Sequence, residues 1–202
     1  MRERPIRLKA HEVRAILSGA KTQTRCVAKP VKHPYLGNVY TPGALVLEGE
    51  PQHVIDRACP FGQPGERLWV KETTVRVEEH GYIGPVYAAS QEGQDVINWG
   101  LAPAPDDCTD VEPYEIKLRP SIHMPRSMCR LVLEITDVRV ERLHAISAAD
   151  AEAEGIDFLR HVPDADETLT PQQLFHCLWD GTGGDWDANP WVWVIGFRRV
   201  TP

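Results

Sequence analysis

The sequence predicts one α+β domain spanning residues 1–202. Three observations lead there. Two stretches, 129–140 and 191–197, are strand-like over a length that suits a sheet interior. Between and before them lie short segments with helical apolar spacing, each bounded by a capping or stop residue. The composition, 42% hydrophobic and 25% charged, is that of an ordinary globular chain able to bury a core.

Taken in order, Pro5-Ile6-Arg7-Leu8 reads as a first strand. His11–Ser18 reads as a helix, with Val13, Ile16 and Leu17 on one face and Gly19 as its stop. Residues 30–65 are rich in Pro and Gly and predict loop with brief strands. Gly65–Thr73 predicts a turn feeding a strand, with Leu68 and Val70 on one face and Trp69 on the other. The stretch 78–125 has many Pro and Gly residues and few periodic apolar positions, so it predicts a loop-rich insertion rather than a second domain. Cys129–Val140 alternates as a strand, with Leu131, Leu133 and Ile135 sharing a face. Ser147 caps a short helix over 148–154, with Asp150 at the third helical position and Gly155 as its stop. Thr170-Pro171 opens another helix, carrying Leu174, Cys177 and Leu178 inward. Trp191–Phe197 is apolar on both faces, which predicts an interior strand.

Charge is unevenly distributed. Residues 1–33 hold nine Lys/Arg against Glu3 and Glu12, a local charge of +7, while the whole chain carries −7. One face that meets phosphate and a solvated basic segment both fit that asymmetry. The five cysteines are scattered and none forms a Cys-x-x-Cys pair, which predicts reduced thiols. The first residues lead into no apolar stretch, and no run approaches the ~20 residues of a membrane helix. A soluble cytoplasmic protein without membrane partners is expected; no feature sets an oligomeric state.

Several familiar motifs fail. His11-Glu12 has Ala15 where a zincin helix needs its second histidine, and the eight histidines show no metal-ligand spacing. Gly181-Thr182-Gly183-Gly184 lacks the lysine of a phosphate loop. Neither a metal nor a cofactor is expected. What remains is Lys21-Thr22-Gln23-Thr24-Arg25, two hydroxyls and two cations directly after a helix. In an extended chain Thr22 and Thr24 share one face and Lys21 and Arg25 the other; a turn would bring Lys21 and Thr24 together. β-branched strand formers and cations offsetting a helix dipole account for the same residues structurally.

Gly19-Ala20-Lys21-Thr22-Gln23-Thr24-Arg25 resembles the Gly-x-Lys-Thr-x-Thr signature of the ASCH domain, a PUA-like fold. The resemblance continues in order through Pro64–Thr73, Pro120–Arg126, Ile146–Gly155 and Asn189–Ile195, and is nearest to phage- and prophage-encoded ASCH proteins. It implies a small β-barrel flanked by short helices, with a cleft for RNA, a nucleoside or a modified base. One compact member of that family is an N4-acetylcytidine amidohydrolase whose proposed trio matches Lys21, Thr24 and Glu154 here, with Glu152 two residues from the last. Cys26 departs from the family, whose members tend to carry a further arginine there.

On that resemblance the expected activity is metal-independent removal of an acyl group from an N4-acylated cytidine-type nucleoside or base. Thr24 would supply a hydroxyl, Lys21 would act as base or stabilise the oxyanion, and Glu154 would shuttle a proton. Smaller expectations attach to neighbours. Trp69 and Trp193 are candidates for stacking a base, Glu72 for a cytosine amine, Arg25 for phosphate or carboxylate, and Thr22 and His123 for the pocket rim. A non-catalytic reader of RNA or modified DNA, and a ribonuclease, are the alternatives.

Overall fold

The computed structural model describes residues 2–77, 86–99, 101–102, 109–110, 116–161 and 168–200. The chain runs β1 (Glu3–Arg7), α1 (Ala10–Leu17), β2 (Gln23–Val27), β3 (Val31–Lys32), β4 (Val39–Tyr40), α2 (Pro42–Leu47) and α3 (Gln52–Ala58). There follow β5 (Arg67–Lys71), β6 (Thr74–Val77), β7 (Val86–Tyr87), α4 (Gln91–Trp99), β8 (Leu101–Ala102), β9 (Thr109–Asp110) and β10 (Ile116–Arg119). Then come β11 (Val132–Arg142), α5 (Ala148–Ala153), α6 (Pro171–Gly181) and β12 (Trp191–Val200). No helix among the described residues is long and apolar enough to cross a membrane.

A mixed five-stranded sheet, ordered β1-β5-β11-β12-β2, organises the fold. Only β1 and β5 pair in parallel. β12 is an interior strand buried on both faces, as its unbroken apolar run requires. Trp193, Ile195 and Phe197 enter one core with Val13 and Ile16 of α1, Leu45 of α2 and Val54 and Ile55 of α3. Val192 and Val194 enter a second with Ala151 of α5 and Leu174, Phe175 and Trp179 of α6.

Among the described residues this sheet is open, not the small barrel that the resemblance implies: β1 and β2 stand at its edges. The edges are linked by a helix rather than a ladder. α1 connects them and places Val13 and Ile16 in the core that a closing strand pair would otherwise cover.

The sheet bends at a bulge in β11, where the register with β12 shifts between Ile135 and Asp137. Leu131, Leu133 and Ile135 face the first core, and so do Val138 and Val140, which simple alternation would have turned away. The same extra residue turns Glu141 to the opposite face, toward β2 and α5.

Three expectations are corrected. The 30–65 stretch contains α2 and α3, because Pro42 and Pro51 occupy helix-start positions, where a missing N–H costs nothing. The 78–125 stretch lies partly outside the described residues, yet it carries α4, with Val96 fully buried, and contributes β7 and β10 to a sheet ordered β10-β6-β7. In α6 the inward residues are Leu174, Phe175 and Trp179, while Cys177 is exposed and Leu178 half-buried. The helix opens at Thr170-Pro171 as the sequence suggests, and Thr170 and Gln173 cap it through reciprocal bonds.

Candidate functional site

Lys21 and Glu154 come together where two short helices end. After α1, Gly19 adopts φ +83° and turns the chain, so that the Lys21 N–H donates to the Ala15 carbonyl. After α5, whose cap is the Ser147 hydroxyl accepting from the Asp150 N–H, Glu154 is followed by Gly155 at φ +79°. The two exits meet as an isolated antiparallel bridge between Lys21 and Glu154, and the Thr22 N–H donates to Ala153.

The side chains then close on one another. Lys21 Nζ donates to the Glu154 carbonyl and to Glu154 Oε2, both at 3.0 Å, and lies 3.5 Å from Glu12 Oε1. Arg25 donates to Glu154 Oε1 at 2.9 Å and to Glu141 Oε1 at 2.6 Å, with Asp150 Oδ2 at 3.6 Å. Lys21 and Glu154 are each only 3% exposed. The Arg25 guanidinium lies over the Phe175 ring, 5.7 Å from its centre. Gln23, on the same side of β2, donates to the Asp150 carbonyl and accepts from Arg139.

Burial raises the Asp150 carboxyl, but hydrogen bonds from Ser147, Arg139 and Gln23 outweigh that and bring it down to about 2. Burial, then the field of Glu154, pushes the Cys26 thiol up to about 12, so it is held as an un-ionised thiol.

Three cations, Lys21, Arg25 and Arg139, thus face four carboxylates: Glu12, Glu141, Asp150 and Glu154. Of the nine basic residues in 1–33, Lys21 and Arg25 are folded onto these acids and Arg4 onto Glu66, while Arg2, Arg7, Lys9, Arg14, Lys29 and Lys32 stay exposed. A surplus of carboxylate repels phosphate and admits an uncharged ligand more readily than a polyanion.

The other expected residues lie as follows. Thr24 is buried, paired in register with Ile195, and so faces the first core, on the opposite side of β2 from Arg25. No hydrogen bond among the described residues joins its hydroxyl to Lys21 or Glu154. Thr22 is exposed, its carbonyl accepting from the Phe197 N–H. Glu152 is exposed and ion-paired with Arg160, which leaves Glu154 as the carboxylate at Lys21.

Trp193 is wholly buried in the first core, without a free ring face. Trp69 is half-buried, with Lys71 and Arg126 near its ring. Glu72 is buried elsewhere, held by Arg130 through two bonds of 3.0 and 2.8 Å. His123 is exposed in a turn between two prolines. Sequence reasoning missed Glu12 and Glu141. Only the position of the bulge, which the alternation of β11 does not reveal, could have placed Glu141. Among the described residues no three His, Cys, Asp or Glu side chains are grouped to hold a metal ion.

Beside the cluster is a cavity of about 260 Å³. Ala20 and Gly155, the neighbours of Lys21 and Glu154, line it together with His11 and Phe158, whose ring centres are 4.8 Å apart. His11 Nε2 is buried without a partner among the described residues.

The structure is similar to the crystal structure of an ASCH domain from Lactobacillus crispatus JV V101, at 13% identity and a TM-score of 0.31, covering 94% of this chain and 72% of that one. No family model matches the sequence, and no curated protein does.

Proposed function

We propose that the chain is an amidohydrolase that removes an acyl group from an N4-acylated cytidine-type nucleoside or base, with no part assigned to a metal. The observation that carries this reading is the buried couple of Lys21 Nζ and Glu154 Oε2 at 3.0 Å. Taking both charges out of water costs several kcal/mol per ion, roughly, before their attraction returns any of it. A couple retained at such cost, on the signature lysine and on the glutamate matched to the family member's proposed trio, suits chemistry more than stability.

An ammonium has three N–H donors. Two of those of Lys21 are directed at Glu154, and the third, which has Glu12 Oε1 at 3.5 Å, would turn to a developing oxyanion. Glu154 accepts a proton from water as that water adds to the acyl carbon. The C–N4 bond then breaks, the proton passes from Glu154 to N4, and the products are the free cytosine amine and a carboxylic acid, which ionises by releasing its proton to solvent. Thr24 lies across β2 from Glu154, which favours water over the Thr24 hydroxyl as nucleophile. The carboxylate surplus favours a nucleoside or base over a phosphate-bearing polymer at this position.

The test is chromatography of N4-acetylcytidine incubated with the protein, its Glu154→Gln variant and its Lys21→Met variant, with folding checked by circular dichroism. Cytidine should form with the native sequence and fall at least about a hundredfold in either folded variant. No cytidine from the native sequence would overturn the proposal. A non-catalytic reader is the second reading. It is favoured by the fact that both Glu154 oxygens already accept bonds, one from Lys21 and one from Arg25. In that case N4-acetylcytidine binds without turnover.

A further inference from the structure

A second cleft, of about 500 Å³, opens away from the Lys21 cluster between the start of β1, the Tyr35 turn and the C-terminal end of α3. That volume is in the range of small-molecule sites, roughly 300–1,000 Å³. Three arginine and carboxylate positions in it are already settled. Arg4 donates to Glu66 at 2.9 Å, Glu66 also accepts from the Gln63 N–H, and Asp56 accepts from Gln52. Two guanidinium groups are not settled: among the described residues neither Arg2 nor Arg57 has a carboxylate within ion-pair distance. Both are exposed.

The third element is Tyr35, which stays 56% exposed on a turn that is firmly held. Buried His33 makes that turn: its Nδ1 accepts from the Tyr35 and Leu36 N–H groups, and its Nε2 lies 3.2 Å from Glu50. Arg57 fixes the ring as well. It donates to the Tyr35 hydroxyl at 2.8 Å, with its guanidinium 5.4 Å from the ring centre. An exposed aromatic ring on an anchored turn contributes little to a core, but it offers a flat face with little ordering cost on binding. Arg2 is anchored in its own way, its carbonyl accepting from the Arg67 N–H.

We propose that this cleft binds one nucleotide unit of a single-stranded nucleic acid, with the base stacked on Tyr35 and the adjoining phosphate held by Arg57 and Arg2. Guanidinium forks match phosphate oxygens, and stacking on an aromatic ring accepts any base. The carboxylates of the cleft accept hydrogen bonds from neighbours and compete little for those two arginines. The proposal depends on neither reading of the Lys21 cluster, where carboxylates predominate.

The test is fluorescence anisotropy of a labelled eight-nucleotide single strand with the full chain, across a salt series. Tyr35→Ala should weaken binding roughly tenfold or more, while Tyr35→Phe retains it. Arg2→Gln and Arg57→Gln should each lower the slope of log affinity against log salt by about 0.7. Binding that ignores Tyr35→Ala, Arg2→Gln and Arg57→Gln, or no binding by the native sequence at low salt, overturns the proposal. So does a nucleoside monophosphate that competes as well as the strand, which would make the cleft a free-nucleotide site.

Discussion

Lys21 and Glu154, 133 residues apart in sequence, are joined twice over: their backbones form an isolated β-bridge, and the Lys21 ammonium donates to both the carbonyl and the carboxylate of Glu154. Glu154 is the C-cap residue of α5, where the helix dipole disfavours the negative charge of its carboxylate. It is held there by Lys21 on one oxygen and Arg25 on the other. The arrangement therefore stands or falls with its partners, and this makes it open to mutation.

Removing one member strands the rest in a dry setting. Glu154→Gln leaves Lys21 and Arg25 short of their shared counter-charge. It should cost about 3–5 kcal/mol in urea unfolding, the range for breaking a buried pair. Replacing Lys21 and Glu154 together by Met and Leu should cost less than the sum of the single changes, since no charge of the couple is then left alone. Strict additivity would mean that the two side chains are not coupled.

Gly155 tests the backbone half of the same relationship. It sits at φ +79°, and a Cβ there would meet Lys21 Cβ at 2.8 Å and Ala15 Cβ at 2.9 Å. Gly155→Ala combines left-handed strain with a clash against two packed side chains. We expect a loss of roughly 2–4 kcal/mol, seen as a fall in Tm of several degrees. Gly183→Ala, at φ +88° with open space around it, should lose only the strain part, about 1 kcal/mol. Equal losses at both glycines would remove the packing argument.

Much of this frame was legible in the sequence, and the failures have physical causes. Ser147 with Gly155, and Thr170 with Pro171, marked helix ends correctly because the chemistry of helix ends is local. The unbroken apolar run of β12 marked an interior strand because both its faces are covered. Glu141 was illegible because a one-residue bulge, fixed by long-range pairing, decides its face. The positive charge of residues 1–33 was legible as a count, but not which members stay at the surface, as Arg2, Arg7, Lys9, Arg14, Lys29 and Lys32 do. Lys21 and Arg25 are spent on acids from α1, β11 and α5, and their carboxylates arrive only through the fold. Trp193 was read as a stacking candidate because its type suits that role, although its place in an interior strand already pointed to the core, where packing puts it.

Acid should act on this protein in two stages. Burial, opposed by Glu12 and helped by Lys21, lowers His11 below its usual 6.5. A base whose folded pKa is depressed stabilises the fold above its unfolded value, and that contribution is lost as pH falls below 6.5. Asp150, brought down to about 2 from 3.8, stabilises above 3.8, and its contribution fades as pH drops toward 2. Tm measured from pH 7.5 to 2.5 should show both slopes. His11→Phe should flatten the upper one and Asp150→Asn the lower one. Persistence of a slope in its variant would assign it to another group.

Glu72 offers the sharpest separation of a structural carboxylate from a functional one. It was a sequence candidate for reading a cytosine amine, yet it is 1% exposed and bound by Arg130 through two parallel bonds. Arg130 in turn lies 3.9 Å from the centre of the Tyr87 ring, and the Tyr87 hydroxyl donates to the Met128 carbonyl. Glu72 thus clamps the chain entering β11 to the end of β5, where its own N–H reaches the Met124 sulfur. Arg130→Ala leaves the Glu72 carboxylate buried and unpaired, and should cost about 3 kcal/mol of stability. If Glu72 only clamps, Arg130→Lys should restore part of that stability without restoring the paired geometry, and nucleoside KM should stay constant across both variants. A KM that rises with Arg130→Ala in folded protein would return Glu72 to the substrate site.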